Sequence, residues 1–206
     1  MKKRVCVAHY NEDLDWLKKI NNDIDIFVYH KKDNNLDYNQ KVILDKNNFE
    51  LRNVGRESHT YLKHIIDNYD NLCNIEYFSQ GYPYEYDFVN IINNDNVSEY
   101  KQYSNYHCTF FSKNGYITEH MKNENYPDTI DIWNNLFNYP PPELTTIIPH
   151  AFIKLNKETI LIHDKSVYIK CLEYFKDNEK NNLYGWSFEY FWALLFNEHH
   201  IIKQDV

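Results

Sequence analysis

Gly55 and Arg56 stand side by side where a helical pattern begins, and of all the residues here they are the best suited to chemistry. Glycine supplies a tight turn and arginine a permanent planar cation. The first N–H groups of a helix have no partner within it, and the helix dipole leaves partial positive charge there. A guanidinium at that place converges with the free amides on one anion, such as a phosphate. The competing reading is an ordinary ion pair between Arg56 and Glu57 or a neighbouring carboxylate.

Other candidates are scattered along the chain. Asn11-Glu12-Asp13 closes the first predicted strand. Its amide and carboxylates can bond a base and ribose hydroxyls, or the tripeptide can be a turn with Asp13 as a helix cap. Glu189 lies in an aromatic run, SFEYFWALLF. A carboxylate there either has its pKa raised and serves as a general base, or faces solvent in the first turn of a helix capped by Ser187. Glu85 and Asp87 offer hard oxygen ligands for a divalent cation, or are acidic residues favoured at a helix start. Ten histidines form no zinc motif: His59 and His64 are five apart, and no HExxH occurs. His9 and His150 fall on predicted strands close to the site. A P-loop and a GxGxxG fingerprint are both absent.

Alternating strands and helices must position these groups. Arg4–His9 (RVCVAH) reads as a first strand, followed by a helix through Leu14, Trp16, Leu17 and Ile20 that Asp13 can cap. Ile24–Tyr29 (IDIFVY) is a second strand, Val42–Leu44 a short third, and Phe49–Val54 leads into the Gly55 turn. Tyr61, Leu62, Ile65, Ile66 and Tyr69 then recur at helical spacing, and Ile75–Phe78 is strand-like and ends in Gln80-Gly81. This alternation predicts a single α/β domain over residues 1–206, with a mostly parallel central sheet flanked by helices. Ligands on such sheets bind at the carboxyl ends of the strands. Those ends carry His9 to Glu12, the loop near His30, Asn53 to Arg56, and Gln80-Gly81.

Beyond Gly81 the pattern predicts a helix over Tyr84–Ile92, a strand at His107–Phe111 and a short helix over Ile130–Phe137 before Pro140-Pro141-Pro142. A late strand follows at Ile147–Leu155, then a helix capped by Asn156, a helix over Ser166–Phe175 and a last helix over Ser187–Phe196 that opens on a capping serine.

The bulk composition narrows the function. With 43% hydrophobic and 17% aromatic residues the chain fills a core. A net charge of −8 argues against non-specific nucleic-acid binding. No segment approaches the roughly 20 apolar residues of a membrane span. The four cysteines form no CxxC pair, and a disulfide framework is not expected. The chain reads as soluble and cytoplasmic. Its richness in Asn, Lys, Ile and Tyr is the codon bias of a low-GC microbe or a large DNA virus, which would place it in host cytoplasm or virion.

The segments AHYNEDLDWL, NVGRESHTYLKHIIDNYDNL, IEYFSQG, PHAFIKLNKETI and FEYFWALLF together resemble an uncharacterised domain-of-unknown-function family grouped with the GT-A-like glycosyltransferases. The resemblance runs from about His9 to Phe196, and the NxGRExHTYL block is its most specific part. It implies a small Rossmann-like, GT-A-like domain that binds a nucleotide-sugar donor and glycosylates a glycan or protein acceptor. It puts Asn11, Glu12, Asn53, Gly55 and Arg56 at the donor pocket, and Glu189 where such enzymes supply a catalytic base. With the strand-end and histidine candidates added, the substrate-binding set is His9, Asn11, Glu12, Asn53, Gly55, Arg56, His59, Gln80, Gly81 and His150. One departure stands out. GT-A enzymes end their fourth strand in Asp-x-Asp, which holds Mn²⁺ or Mg²⁺, whereas this chain has Ser79-Gln80-Gly81. Metal dependence is therefore in doubt. A non-catalytic glycan- or protein-binding module with a degenerate GT-A-like fold is the alternative, and a metal-dependent hydrolase is a third reading.

Overall fold

The computed structural model describes residues 1–32, 47–83, 88–94, 101–102, 108–111, 129–141, 144–147, 151–176 and 181–196. Strand β1 (Lys3–His9) is the centre of the sheet. It pairs in parallel with β2 (Asp25–Lys32) on one side and β4 (Ile75–Gln80) on the other, and β3 (Asn47–Arg52) adds in parallel beyond β2. Strand β5 (Lys101–Gln102) and strand β8 (Ile153–Asn156) complete a six-stranded sheet of order β3-β2-β1-β4-β8-β5, in which β8 runs antiparallel to β4. The chain steps outward from β1 to β3 and then returns to the opposite side of β1. That reversal creates a switch point between β1 and β4, the place where open α/β sheets bind ligands. The expected mixed α/β fold with a mostly parallel sheet is what the chain adopts.

Side chains that alternate along each strand build a core on both faces of the sheet. Val5, Val7, Ile26, Val28, Ile75 and Tyr77 pack with Trp16, Leu17 and Ile20, and with Phe88 and Ile92 of α2 (Phe88–Asn94). Cys6, Ala8, Tyr29 and Phe78 face the other way. They lie in one cluster with Tyr61, Leu62 and Ile65 of α1 (Arg56–Asn68) and Phe188, Phe191 and Trp192 of α6 (Asn181–Leu195). Glu76 belongs to this second face and is fully buried. Its carboxylate accepts from Cys73 N–H at 2.8 Å, from Arg4 at 3.4 Å and from His64 Nε2 at 3.2 Å. Tyr29 then donates its hydroxyl to His64 Nδ1 at 2.9 Å, because a carboxylate on Nε2 fixes the tautomer. This row is sealed from solvent, so its role is to satisfy buried charge.

The remaining elements are α3 (Thr129–Leu136), α4 (Lys157–Leu161), α5 (Lys165–Glu173), and a separate hairpin of β6 (Cys108–Phe111) with β7 (Leu144–Ile147). Asn156 caps α4 as expected, its Oδ1 accepting from Thr159 N–H at 2.6 Å. Cys6, Cys73 and Cys171 are buried free thiols. Among the described residues no helix is long and apolar enough to cross a membrane.

Several boundaries differ from the sequence reading. The segment after Asp13 is a single 3-10 stretch, Asp15–Lys19, with Asp13 Oδ1 bonded to Asp15 N–H at 2.7 Å. Ile147–Leu155 is not one strand: Leu144–Ile147 pairs with β6, whereas Ile153–Asn156 pairs with β4. Ser187 is not a cap. Helix α6 already begins at Asn181, and Ser187 Oγ donates back to Leu183 O at 3.2 Å. Glu189 therefore sits mid-helix rather than in a first turn. The expected strand at Val42–Leu44, and Tyr84–Asp87 of the expected helix, lie outside the described residues.

Candidate functional site

A cavity of about 280 Å³ opens at the switch point. Its walls are Ala8, His9, Tyr10 and Glu12 after β1, Lys31 of β2, Asn53, Arg56 and Glu57 between β3 and α1, and Gln80 ending β4. The parallel register brings these ends together, since Ala8 pairs with both Tyr29 and Gln80.

The turn into α1 is the most constrained backbone here. Gly55 has φ 60° and caps the helix, and Arg56 follows at φ 50°, the one non-glycine with positive φ among the described residues. That region is disfavoured for a side-chain-bearing residue and persists only where the surroundings impose it. Three neighbours do so. Lys31 Nζ donates to Val54 O and to Arg56 O, bracketing the turn. Gly185 of α6 lies so close that a Cβ on it would stand 3.0 Å from Arg56 Cγ and 3.2 Å from the Gly55 carbonyl carbon. A Cβ on Gly55 would stand 2.2 Å from the Phe175 ring, so only glycine fits. Burial lowers the Lys31 ammonium to about 7, with the Glu57 charge resisting the fall. Lys31 thus lies buried beneath the turn with its ammonium well below the usual lysine range.

Two carboxyl groups meet at Arg56. Its Nε lies 3.6 Å from Glu57 Oε2 and its Nη2 lies 3.8 Å from Glu189 Oε1. The guanidinium also stacks on the Trp186 ring, with Cζ 3.8 Å from the centroid. The Glu57 and Glu189 side chains are only 6% and 12% exposed. Burial first, then the charge of Glu57 and a hydrogen bond with it, push Glu189 up to about 8 against the pull of Arg56. Glu189 is thus the carboxyl that burial and its neighbour keep protonated at neutral pH. Glu57 lines the cavity, whereas Glu189 is not among its lining residues.

Of the residues picked from sequence, His9, Glu12, Asn53, Arg56 and Gln80 line the cavity, and Gly55 shapes its wall. His9 is buried, its Nδ1 2.9 Å from His30 Nδ1 and its Nε2 3.0 Å from Glu12 O. Glu12 Oε2 accepts from Tyr10 N–H at 2.8 Å and Asn11 N–H at 3.1 Å. Its carboxyl rests where a side chain on Gly81 would be, which explains that glycine. Asn11 is exposed on the loop and does not line the cavity. His59 turns its ring edge to Phe175 at 6.1 Å, and burial lowers it to about 3. His150, Glu85 and Asp87 lie outside the described residues.

Sequence reasoning passed over Lys31 and gave Glu57 only the part of an ion-pair partner. The spacing held a signal for Glu57, which precedes Tyr61 by one helical repeat and so falls on the buried stripe of α1. An acidic residue on an apolar stripe marks a charge that needs a reason. Ser79-Gln80-Gly81 at the β4 end offers no carboxylate, and among the described residues no group of three His, Cys, Asp or Glu is placed to hold a metal ion.

The chain belongs to the family described as Protein of unknown function (DUF3431), whose match covers residues 5–205. No curated protein and no solved structure matches it.

Proposed function

We propose that the protein is a glycosyltransferase that binds a nucleotide-sugar at the switch-point cavity and glycosylates a glycan or protein acceptor. One observation carries this reading: the left-handed Gly55-Arg56 turn puts the head of α1, Arg56 and Lys31 around one cavity, beside a buried carboxyl pair. Helix-head amides with two cations suit a diphosphate, and they neutralise it as a leaving group without a metal. In the transfer, an acceptor hydroxyl oxygen bonds to the anomeric carbon as the bond from that carbon to the diphosphate breaks. The diphosphate leaves with the electron pair, and the hydroxyl proton passes to the Glu57–Glu189 pair.

A thermal-shift screen of nucleoside diphosphates and nucleotide-sugars, with and without Mn²⁺, tests it. Ligands that bind only the folded chain raise its stability by mass action. The expected result is a selective shift by one diphosphate class, independent of Mn²⁺ and lost in Arg56→Ala. No shift with any of them at millimolar concentration overturns the proposal in favour of a non-catalytic module.

A further inference from the structure

Gly185, Trp186 and Glu189 of α6 all close on Arg56. Gly185 lets the helix approach until a Cβ there would stand 3.0 Å from Arg56 Cγ. The Trp186 ring faces the guanidinium, with Cζ 3.8 Å from its centroid, and Glu189, one helical turn on, lies 3.8 Å from Nη2. Of the four tryptophans Trp186 is the exposed one, at 38%, whereas Trp16, Trp133 and Trp192 are buried. Among the described residues the Arg56 guanidinium makes no hydrogen bond, because its ion pairs with Glu57 and Glu189, at 3.6 and 3.8 Å, are longer than one. Nε is buried, but the side chain as a whole is 34% exposed, so the Nη groups are the accessible donors of a residue that lines the cavity.

We infer that Trp186 is the positioning residue of an oxyanion site at Arg56: its indole face holds the guanidinium so that the Nη donors stay open to a phosphate-type anion in the cavity. Stacking occupies a face of the guanidinium and leaves its in-plane N–H groups unused, whereas a hydrogen-bonded ion pair consumes them. The difference decides the outcome here, because two carboxyls stand close to the same cation. Without the indole the guanidinium is drawn onto Glu57 and Glu189, and every N–H bonded to a carboxyl is lost to the ligand. Gly185 and Trp186 act together: the glycine brings α6 up to the turn, and the tryptophan fixes the cation there. Lysine cannot take the place of Arg56, since an ammonium is a compact point charge with no planar face to stack. The anion at Arg56 belongs to the transferase reading, on which this role of Trp186 rests.

The test is calorimetric titration with inorganic pyrophosphate of the wild type, Trp186→Phe, Trp186→Ala and Arg56→Lys, paired with tryptophan emission. The wild type is expected to bind. Loss of a cation–π contact at a partly exposed site sets the fall in affinity for Trp186→Ala at about three- to tenfold. Trp186→Phe keeps an aromatic face and is expected to bind within about twofold of the wild type, a rescue that mere packing would not produce. Arg56→Lys is expected to bind no better than Trp186→Ala. Because the other three tryptophans are buried, pyrophosphate is expected to shift the emission of the wild type and to leave that of Trp186→Phe unchanged. If Trp186→Ala does not fold, Trp186→Leu keeps bulk without an aromatic face and reads the same fall. Wild-type affinity in the non-aromatic variant, an equal fall in Trp186→Phe, or unchanged wild-type emission at saturating pyrophosphate overturns the inference. No pyrophosphate binding by the wild type overturns the anion site, and the role of Trp186 with it. Pyrophosphate binding that depends on Trp186 without binding of any nucleotide-sugar sinks only the transferase reading, whereas nucleotide-sugar binding indifferent to Trp186 sinks only the role of Trp186.

Discussion

Replacing Glu189 by glutamine should make the protein more stable as pH rises, and the size of the effect follows from the proton that Glu189 holds. In the folded chain its carboxyl is pushed up to about 8, from 4.5 for an ordinary glutamate, by burial and by Glu57. Between those limits the folded chain binds one proton more than the unfolded chain, so raising the pH favours unfolding. The slope for one proton is at most about 1.4 kcal/mol per pH unit. Glutamine keeps the hydrogen-bonding shape without titrating. The difference in unfolding free energy, Glu189→Gln minus wild type, should therefore rise steadily from about pH 5 and level off above about pH 8. Over the span from 4.5 to about 8 this slope sets a ceiling of about 5 kcal/mol, and relaxation of the buried pair as it titrates should bring the total to about 2–4 kcal/mol. For a chain of this size each kcal/mol moves Tm by roughly 2–4 °C, so paired thermal melts in overlapping buffers resolve it. A difference curve that stays flat from about pH 5 to pH 8 would refute the account of Glu189 as a buried carboxyl that keeps its proton.

Three further perturbations probe the frame of the site. Gly55→Ala places a side chain at φ 60° and against the Phe175 ring, and should cost about 2–5 kcal/mol in urea denaturation; a loss below about 1 kcal/mol would contradict the geometry. Lys31 has its ammonium lowered to about 7, so it penalises the folded state fully below that pH, with relief as pH rises toward 10.5; Lys31→Met should abolish this alkaline gain in a pH series of melts. Glu76→Leu leaves Arg4 and His64 buried without their carboxylate and should cost about 3–5 kcal/mol, whereas a neutral outcome would show that the buried row relaxes freely.

Three strands of the sheet were legible because they are short, mostly apolar runs. RVCVAH and IEYFSQ are buried on both faces and IDIFVY largely so, which removes the polar alternation of a half-exposed strand. The turn into α1 was legible from Gly55 and the helical stripe that follows. The last helix was harder: the apolar run that marks it in sequence starts at Ser187, yet α6 begins at Asn181 and carries Gly185, where a side chain would crowd Arg56. Starting the helix at the apolar run made Ser187 look like a cap and Glu189 a first-turn residue. IIPHAFIKL misled for a different reason, because β-propensity does not say which sheet a segment joins, and its two ends join two. Arg56 was found by type and place. The role of Glu57 emerged only once α6 was seen packed over α1, bringing a second carboxyl 132 residues away in sequence into the same ion pair.

The most direct test of the switch-point cavity is a ¹H–¹⁵N NMR titration of the protein with the nucleoside diphosphate that gives the largest thermal shift, or with UDP and GDP in turn. The account predicts that the amides of Arg56, Glu57 and Ser58 at the head of α1 move first and furthest, together with Gln80 and Gly81, and that Arg56→Ala removes the response. Perturbations that cluster away from the Gly55-Arg56 turn, or an unchanged spectrum with both nucleotides, would contradict it.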